Sequence, residues 1–110
     1  MYDVALFDKY SKNWKEGLRW RLKTMPGGAT VKCPEFYVMN AFFMQAIEGD
    51  NTTERPMWAE RGGLDFDGKN AWDQWVKLKG TSKEDAQRLF VAFYREMDHA
   101  KALYSDTREL

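Results

Sequence analysis

"LDFDGKNAWDQWVKLKGTSKEDA", residues 64–86, is the stretch on which the fold turns. Two helices meet inside it. From about Gly68 to Lys79 an apolar face runs at helical spacing: Trp72 and Trp75 stand three apart, Val76 lies four beyond Trp72, and Leu78 follows three beyond Trp75. Gly80 ends that helix, and "TSKED" opens the next. Ser82 is placed to accept from the N–H near Asp85, while Glu84 and Asp85 fill a first turn where the helix dipole favours acid. Ala86, Leu89, Phe90, Phe93, Met97, Ala100 and Tyr104 then keep helical spacing for about five turns.

Upstream, "EFYVMNAFFMQAIEGD", residues 35–50, reads as a third helical segment. Pro34 suits the first helical position, where its missing N–H costs nothing, and Gly49 suits the C-terminal cap. Between Phe36 and Ile47 only Asn40 and Gln45 are clearly polar, so both sides of this helix need cover. Aromatic runs of this kind are more often core than ligand wall. Even so, a second covering surface is required, from the protein itself, a greasy ligand or a partner. "GDNTTERP" continues as turn formers, and "MWAERGG", residues 57–63, lengthens that connection; long loops in compact domains are often functional. The first helix is expected from about Val4 to Lys23, with Phe7, Tyr10, Trp14, Leu18 and Leu22 as its stripe and Met25-Pro26-Gly27-Gly28 as its stop. No alternation argues for a strand. The expectation is a single all-α domain over residues 1–110, a bundle of four helices with a long loop between the second and third.

At 110 residues the chain has room for one domain. Its 17 basic and 17 acidic side chains cancel, so no overall pull toward nucleic acid or anionic membrane exists. One cysteine, Cys33, and one histidine, His99, exclude an internal disulfide and a Cys/His zinc site. Cys33 reads as a small helix-entry residue and His99 as a solvated one. "DFDGKN" has a faint calcium-loop look without the full ligand spacing, and no metal is expected. The opening residues lack a basic region followed by an apolar run, no segment is apolar enough to span a membrane, and Asn51-Thr52-Thr53 reads as turn chemistry rather than a glycan site. An intracellular location is expected, cytoplasmic or organellar, the mitochondrion included. No carboxylate pair or nucleophile–base set stands out, so no enzyme is expected.

"QAIEGDNTTERP" and "LDFDGKNAWDQWVKLKGTSKEDA" together resemble the signature of the acyl-CoA-binding protein family. That pattern has Gln-Ala leading into a Gly-Asp-x-Asn-Thr-Glu-Arg-Pro loop, then an Asp-Phe-x-Gly-Lys turn, a Trp-Asp-x-Trp helix, and Lys-Gly-Thr-Ser-Lys-Glu-Asp-Ala at the next helix start. The likeness is dense from Gln45 to Ala86, apart from an insertion at 57–63, and weaker outside. It implies a four-helix bundle that binds long-chain acyl-CoA esters without catalysis and without a cofactor, a small lipid thioester being the partner.

The residues to which the resemblance assigns ligand contact depart from the pattern. The two helix-two tyrosines fall on Asn40 and Phe43, and the phosphate-gripping lysine falls on Met44. The lysine before the first Trp of helix three falls on Ala71, the helix-four tyrosine on Phe90, and a further lysine on Asp67. Lys69 is retained. Phe43 and Phe90 can line an apolar groove but cannot donate a phenolic hydrogen bond, and Met44 and Ala71 cannot pair with phosphate. Losing two charged contacts costs about 3–6 kcal/mol, whereas each buried CH₂ of an acyl tail returns about 0.8 kcal/mol. Arg61 in the insertion, beside Gly62-Gly63, or Arg19, Arg21 or Lys23 near the end of the first helix, are candidates to replace the missing lysines. Two functions stay open: a carrier of long-chain acyl-CoA with an altered head-group site, or a scaffold that serves as a protein-interaction subunit. In the second, the helix-two groove and the loop bearing Trp58 would dock another chain.

Overall fold

The computed structural model describes residues 4–16, 20, 22–25, 30–57 and 65–97. Four helices and one small hairpin follow in order: α1 (Val4–Glu16), β1 (Leu22–Thr24), β2 (Thr30–Lys32), α2 (Pro34–Glu48), α3 (Phe66–Val76) and α4 (Lys83–Glu96). Helix α2 is the centre, packing on α3 along one side and on α4 along another, while α1 closes over α4. That arrangement covers both sides of the apolar run. Met39, Phe43 and Ala46 enter the main core. Tyr37, Ala41 and Gln45, buried on the same helix, share a second face at four-residue steps. The modest amphipathicity of this segment is therefore what a helix between two neighbours requires.

The core is largely aromatic. Phe7 meets Phe90 edge-on at 5.4 Å between ring centroids, and Trp14 lies 5.2 Å from Phe43 and 5.4 Å from Phe36. Tyr10 stacks on Tyr94 at 4.3 Å, extending the same packing between α1 and α4. Ring pairs at these separations add about 0.5–1.5 kcal/mol each beyond the area they bury.

The first helix differs from expectation. It ends at Glu16 rather than near Lys23, and Leu22, read as part of its apolar stripe, lies on β1 with 64% of its surface exposed. An antiparallel pair stands where no strand was expected, with Leu22 opposite Lys32, Lys23 opposite Val31 and Thr24 opposite Thr30. The physical reasons are visible afterwards. β-Branched Thr24, Thr30 and Val31 flank a Pro-Gly-Gly turn former. Each strand is only 3 residues long, too short to show a period.

The starts and stops of the other helices follow from local chemistry. Pro34 opens α2, and Gly49 closes it at a φ of +85°, the left-handed region that glycine enters freely. The Gly49 N–H donates to the Gln45 carbonyl at 3.0 Å. Ser82 Oγ accepts from Asp85 N–H at 3.0 Å, as the sequence leads one to expect. Helix α3 begins two residues earlier than expected. The Asp65 carboxylate takes the Gly68 N–H at 2.8 Å, and so caps it. It also stops earlier, at Val76. Leu78 and Lys79 bond back three residues to Trp75 and Val76, tightening the chain. Gly80 follows at a φ of +92°.

The cap fixes the identity of residue 68. A methyl group there would collide with the Asp65 carboxylate, so Gly68→Ala expels the cap. Alanine normally gains about 0.5–1 kcal/mol over glycine inside a helix. Here the lost cap, worth about 1 kcal/mol, offsets that gain, so the variant is expected to be no more stable than the parent. Urea denaturation followed by circular dichroism reads the sign; a stabilised variant would mean the carboxylate moves aside freely.

Candidate functional site

A polar knot ties α2 to the α3–α4 connection. Gln45, fully buried, donates from Nε2 to Asp50 Oδ1 at 2.9 Å and to the Thr81 carbonyl at 2.8 Å, and its Oε1 accepts from Trp75 Nε1 at 3.1 Å. Trp75 Nε1 also reaches the Gly49 carbonyl at 3.0 Å, and Asp50 Oδ1 receives the Gly80 N–H at 2.9 Å. Trp72 Nε1 donates to the Thr53 carbonyl at 3.0 Å, and Arg55 forks onto Asp73 at 2.8 and 2.9 Å. Trp72 and Trp75 are thus half-buried and tied by their indole N–H groups to the loop after α2. The polar edge of an indole seeks a partner, and both rings find theirs in that loop.

These bonds carry a pH dependence. The Gly80 N–H, and then the Gln45 amide, hold the Asp50 carboxyl below the usual carboxylate range. Arg55 does the same to Asp73. Because the folded state lowers both, their contribution is complete above the unfolded carboxylate range and is lost as pH falls below about 4. Asp50→Asn keeps an acceptor oxygen but no charge. It is expected to be less stable than the parent at pH 7 and to converge with it at pH 3, read as urea midpoints. A gap that stays constant across pH would remove Asp50 from this role.

The residues singled out for ligand contact divide into groups. Phe43 and Phe90 belong to the core, stacked and tilted against Phe7, Trp14 and each other, with Phe90 fully buried. Asn40 and Met44, one turn apart on α2, are half-buried, as is Ala71 on α3. Lys69 is half-buried near the start of α3, its Nζ 3.3 Å from Met57 Sδ. The Asp65 N–H meets the Met57 carbonyl at 3.0 Å, so the base of the inserted loop is pinned shut. Arg19, Arg21, Arg61, Trp58 and His99 lie outside the described residues. Of the expected set, two members are core, three are half-buried on α2 and α3, and Lys69 lies beside Met57.

A cleft of about 330 Å³ opens where the hairpin meets α2 and α3. The hairpin side brings Lys23, Met25, Val31 and Lys32; Pro34 and Tyr37 of α2 and Asn70 and Gln74 of α3 form the rest. Tyr37 braces it. Its hydroxyl donates to Asp67 Oδ1 at 2.6 Å and accepts from the Lys32 N–H at 3.0 Å, joining three elements in one relay. Burial first, and then the bond to Asp67, pushes its pKa up to about 12, so the phenol stays protonated throughout the neutral range. Lys32 Nζ lies 3.9 Å from Asp67 Oδ1, a loose ion pair, and 4.6 Å from the Phe36 ring centroid, a cation–π contact. Of this cleft, sequence reasoning named only Lys23 as a ligand candidate, in the role of a replacement lysine. Lys32, Tyr37, Asn70 and Gln74 were missed because the hairpin that gathers them was missed.

Comparison with known proteins gives the same answer as the loop and turn geometry. The family model described as acyl CoA binding protein matches residues 5–94. The chain belongs to the acyl-CoA-binding protein family. "Acyl-CoA-binding protein homolog 1" of Caenorhabditis elegans is 38% identical over 76 residues, covering 69% of this chain and 77% of the relative. "Acyl-CoA-binding protein homolog" of Drosophila melanogaster is 44% identical over 59 residues, covering 54% of this chain and 63% of the relative. Acyl-CoA-binding proteins act without catalysis, and the chain is accordingly not an enzyme. The family signature here is structural: Gln45, Asp50, Arg55, Trp72, Asp73 and Trp75 all spend their polar groups on one another or on nearby backbone. Among the described residues no helix is long and apolar enough to cross a membrane, and no three acidic, Cys or His side chains are grouped to hold a metal.

Proposed function

We propose that the chain binds long-chain fatty acyl-CoA esters as a non-catalytic carrier, with a head-group site altered from the family pattern and no cofactor. The observation that carries this reading is the family match over residues 5–94, in which the knot around Gln45 keeps α2, α3 and α4 together. Residues 1–110 are taken as one domain of this kind, at work inside the cell. Asn40, Met44, Ala71 and Lys69 remain the ligand-facing candidates from α2 and α3. Phe43 and Phe90 support them from the core, and Arg21 and Arg61 are candidate phosphate partners from the flanking segments. The acyl tail supplies most of the affinity, at about 0.8 kcal/mol per buried CH₂.

A second reading has an observation of its own. Met44 and Ala71 offer no phosphate grip, and the insertion carrying Trp58 leaves from a base closed by Met57 and Asp65. A protein-interaction subunit would use that groove and loop. Titration calorimetry of the purified chain with palmitoyl-CoA, free CoA and palmitate separates the two. Saturable binding of the ester supports the carrier; no heat from any of the three, with a helical spectrum intact, leaves the interaction subunit.

A further inference from the structure

We propose that Met57 is a site of reversible oxidation, and that its sulfoxide clamps Lys69. The thioether is the group that changes, and the ammonium beside it reads the change. For ligand binding the inference rests on the acyl-CoA reading above, in which Lys69 faces the bound ester.

Access is the first argument. Met57 is 50% exposed, whereas Met39 and Met97 are buried at 0% and 7%. An oxidant must reach the sulfur, so a dissolved peroxide meets Met57 before the core methionines. Met25 and Met44 stand between these extremes, each half-buried.

The second argument is a partner already in place. Lys69 Nζ lies 3.3 Å from Met57 Sδ. Thioether sulfur is a weak acceptor, so this contact holds the ammonium only lightly. Among the described residues Lys69 has no carboxylate within 4.0 Å. Asp73, one turn further along α3, is forked by Arg55 at 2.8 and 2.9 Å. A sulfoxide oxygen is polar and accepts strongly, so oxidation turns a light contact into a charge-assisted hydrogen bond.

Placement is the third. The Asp65 N–H donates to the Met57 carbonyl at 3.0 Å, and the Lys69 N–H donates to the Asp65 carbonyl at 2.9 Å. Both side chains therefore start from one backbone strut, and a preorganised pair loses less ordering entropy when its contact strengthens. In the reduced chain Lys69 is available to a ligand; in the oxidised chain it is held at Met57.

The step balances with hydrogen peroxide as the oxidant. A sulfur lone pair forms the S–O bond and the O–O bond breaks. The departing hydroxide takes the proton from the transferred oxygen and leaves as water. Sulfur is oxidised and the peroxide is reduced. A methionine sulfoxide reductase restores the thioether while a pair of thiols closes to a disulfide, the oxygen again leaving as water.

The test follows the full chain under graded hydrogen peroxide. Peptide mass spectrometry is expected to find Met57 oxidised ahead of Met39 and Met97; equal rates overturn the site. Competitive acetylation with acetic anhydride then reads the amine without any ligand. Labelling of Lys69 is expected to fall by about two- to ten-fold on oxidation, the value of one added hydrogen bond, and to recover after the reductase. Unchanged labelling overturns the clamp. In titration calorimetry palmitoyl-CoA affinity is expected to fall by about three- to ten-fold in the oxidised chain and to return on reduction. An affinity that does not move while labelling falls overturns the link to the ligand alone. Met57→Leu keeps the bulk and is expected to abolish the response to peroxide. A loss that persists in that variant belongs to another methionine, Met44 foremost, and overturns the assignment. If the unoxidised parent binds no palmitoyl-CoA, the carrier reading falls, while the mass and labelling results still decide the site and its clamp.

Discussion

Phe90→Ala is expected to cost the fold about 3–5 kcal/mol, the range for deleting a fully buried aromatic ring. Phe90 has 0% exposure and holds three partners at once: Phe7 at 5.4 Å, Trp14 at 6.0 Å and Phe43 at 6.3 Å between centroids. Small domains are stable by only about 5–15 kcal/mol, so the variant loses a large share of its margin. The size of the effect also decides a role. Resemblance assigns this position to ligand contact, and a ring lining an open groove would lose affinity on truncation while its urea midpoint barely moved. A ring at the junction of α1, α2 and α4 does the reverse. A loss under about 1 kcal/mol in urea denaturation would return Phe90 to the groove, since exposed sites rarely cost more.

The contrast shows what a single sequence carries. Ser82 and Asp85, Pro34 and Gly49 were legible because capping is local: each pairs groups within three or four residues of one another. Family, fold class and helix order were legible for the same reason, since the signature is a run of turns and caps. The hairpin was not. Leu22 stands at helical spacing from Leu18, and a 3-residue strand is too short for its β-branched neighbours to outweigh that signal. Phe43 and Phe90 show a different limit. An apolar side chain on a helix reads alike whether it faces a core or a groove, and only the placement of Phe7 and Trp14 against both separates the cases. The cleft was out of reach for a further reason. Its brace joins Tyr37 to Asp67 across 30 positions, and no short-range pattern encodes that pairing. Lys23 was legible as a spare cation, whereas the companion it finds in Lys32 depends on strand register.

Gln45→Leu should then be among the most damaging polar changes in the chain, at about 2–4 kcal/mol. Volume is nearly kept, so the loss comes from hydrogen bonds. Gln45 serves Asp50, Thr81 and Trp75 from one buried amide, and only Trp75 has a second acceptor, the Gly49 carbonyl at 3.0 Å. Leucine leaves the Thr81 carbonyl without its donor and frees Asp50 from the hold that keeps it under the Gly80 N–H. Gln45→Glu sharpens the argument. A second carboxylate oxygen would stand where the amide now donates, at 2.9 Å to Asp50 and at 2.8 Å to the Thr81 oxygen. Like charge then adds to the lost bonds. At pH 7 the glutamate variant is therefore expected to be the less stable of the two. Its deficit should shrink as pH falls and the introduced carboxylate gains the proton that lets it donate again. Urea midpoints of both variants at pH 7 and pH 4 read this directly. If the leucine variant matched the parent, the knot would be ornamental, and the presence of Gln45, Asp50 and Trp75 beside the altered Met44 and Ala71 would need a ligand to explain it. A large loss gives the simpler account: this part of the signature is kept because the bundle needs it, and the ligand residues were free to change around a frame that could not.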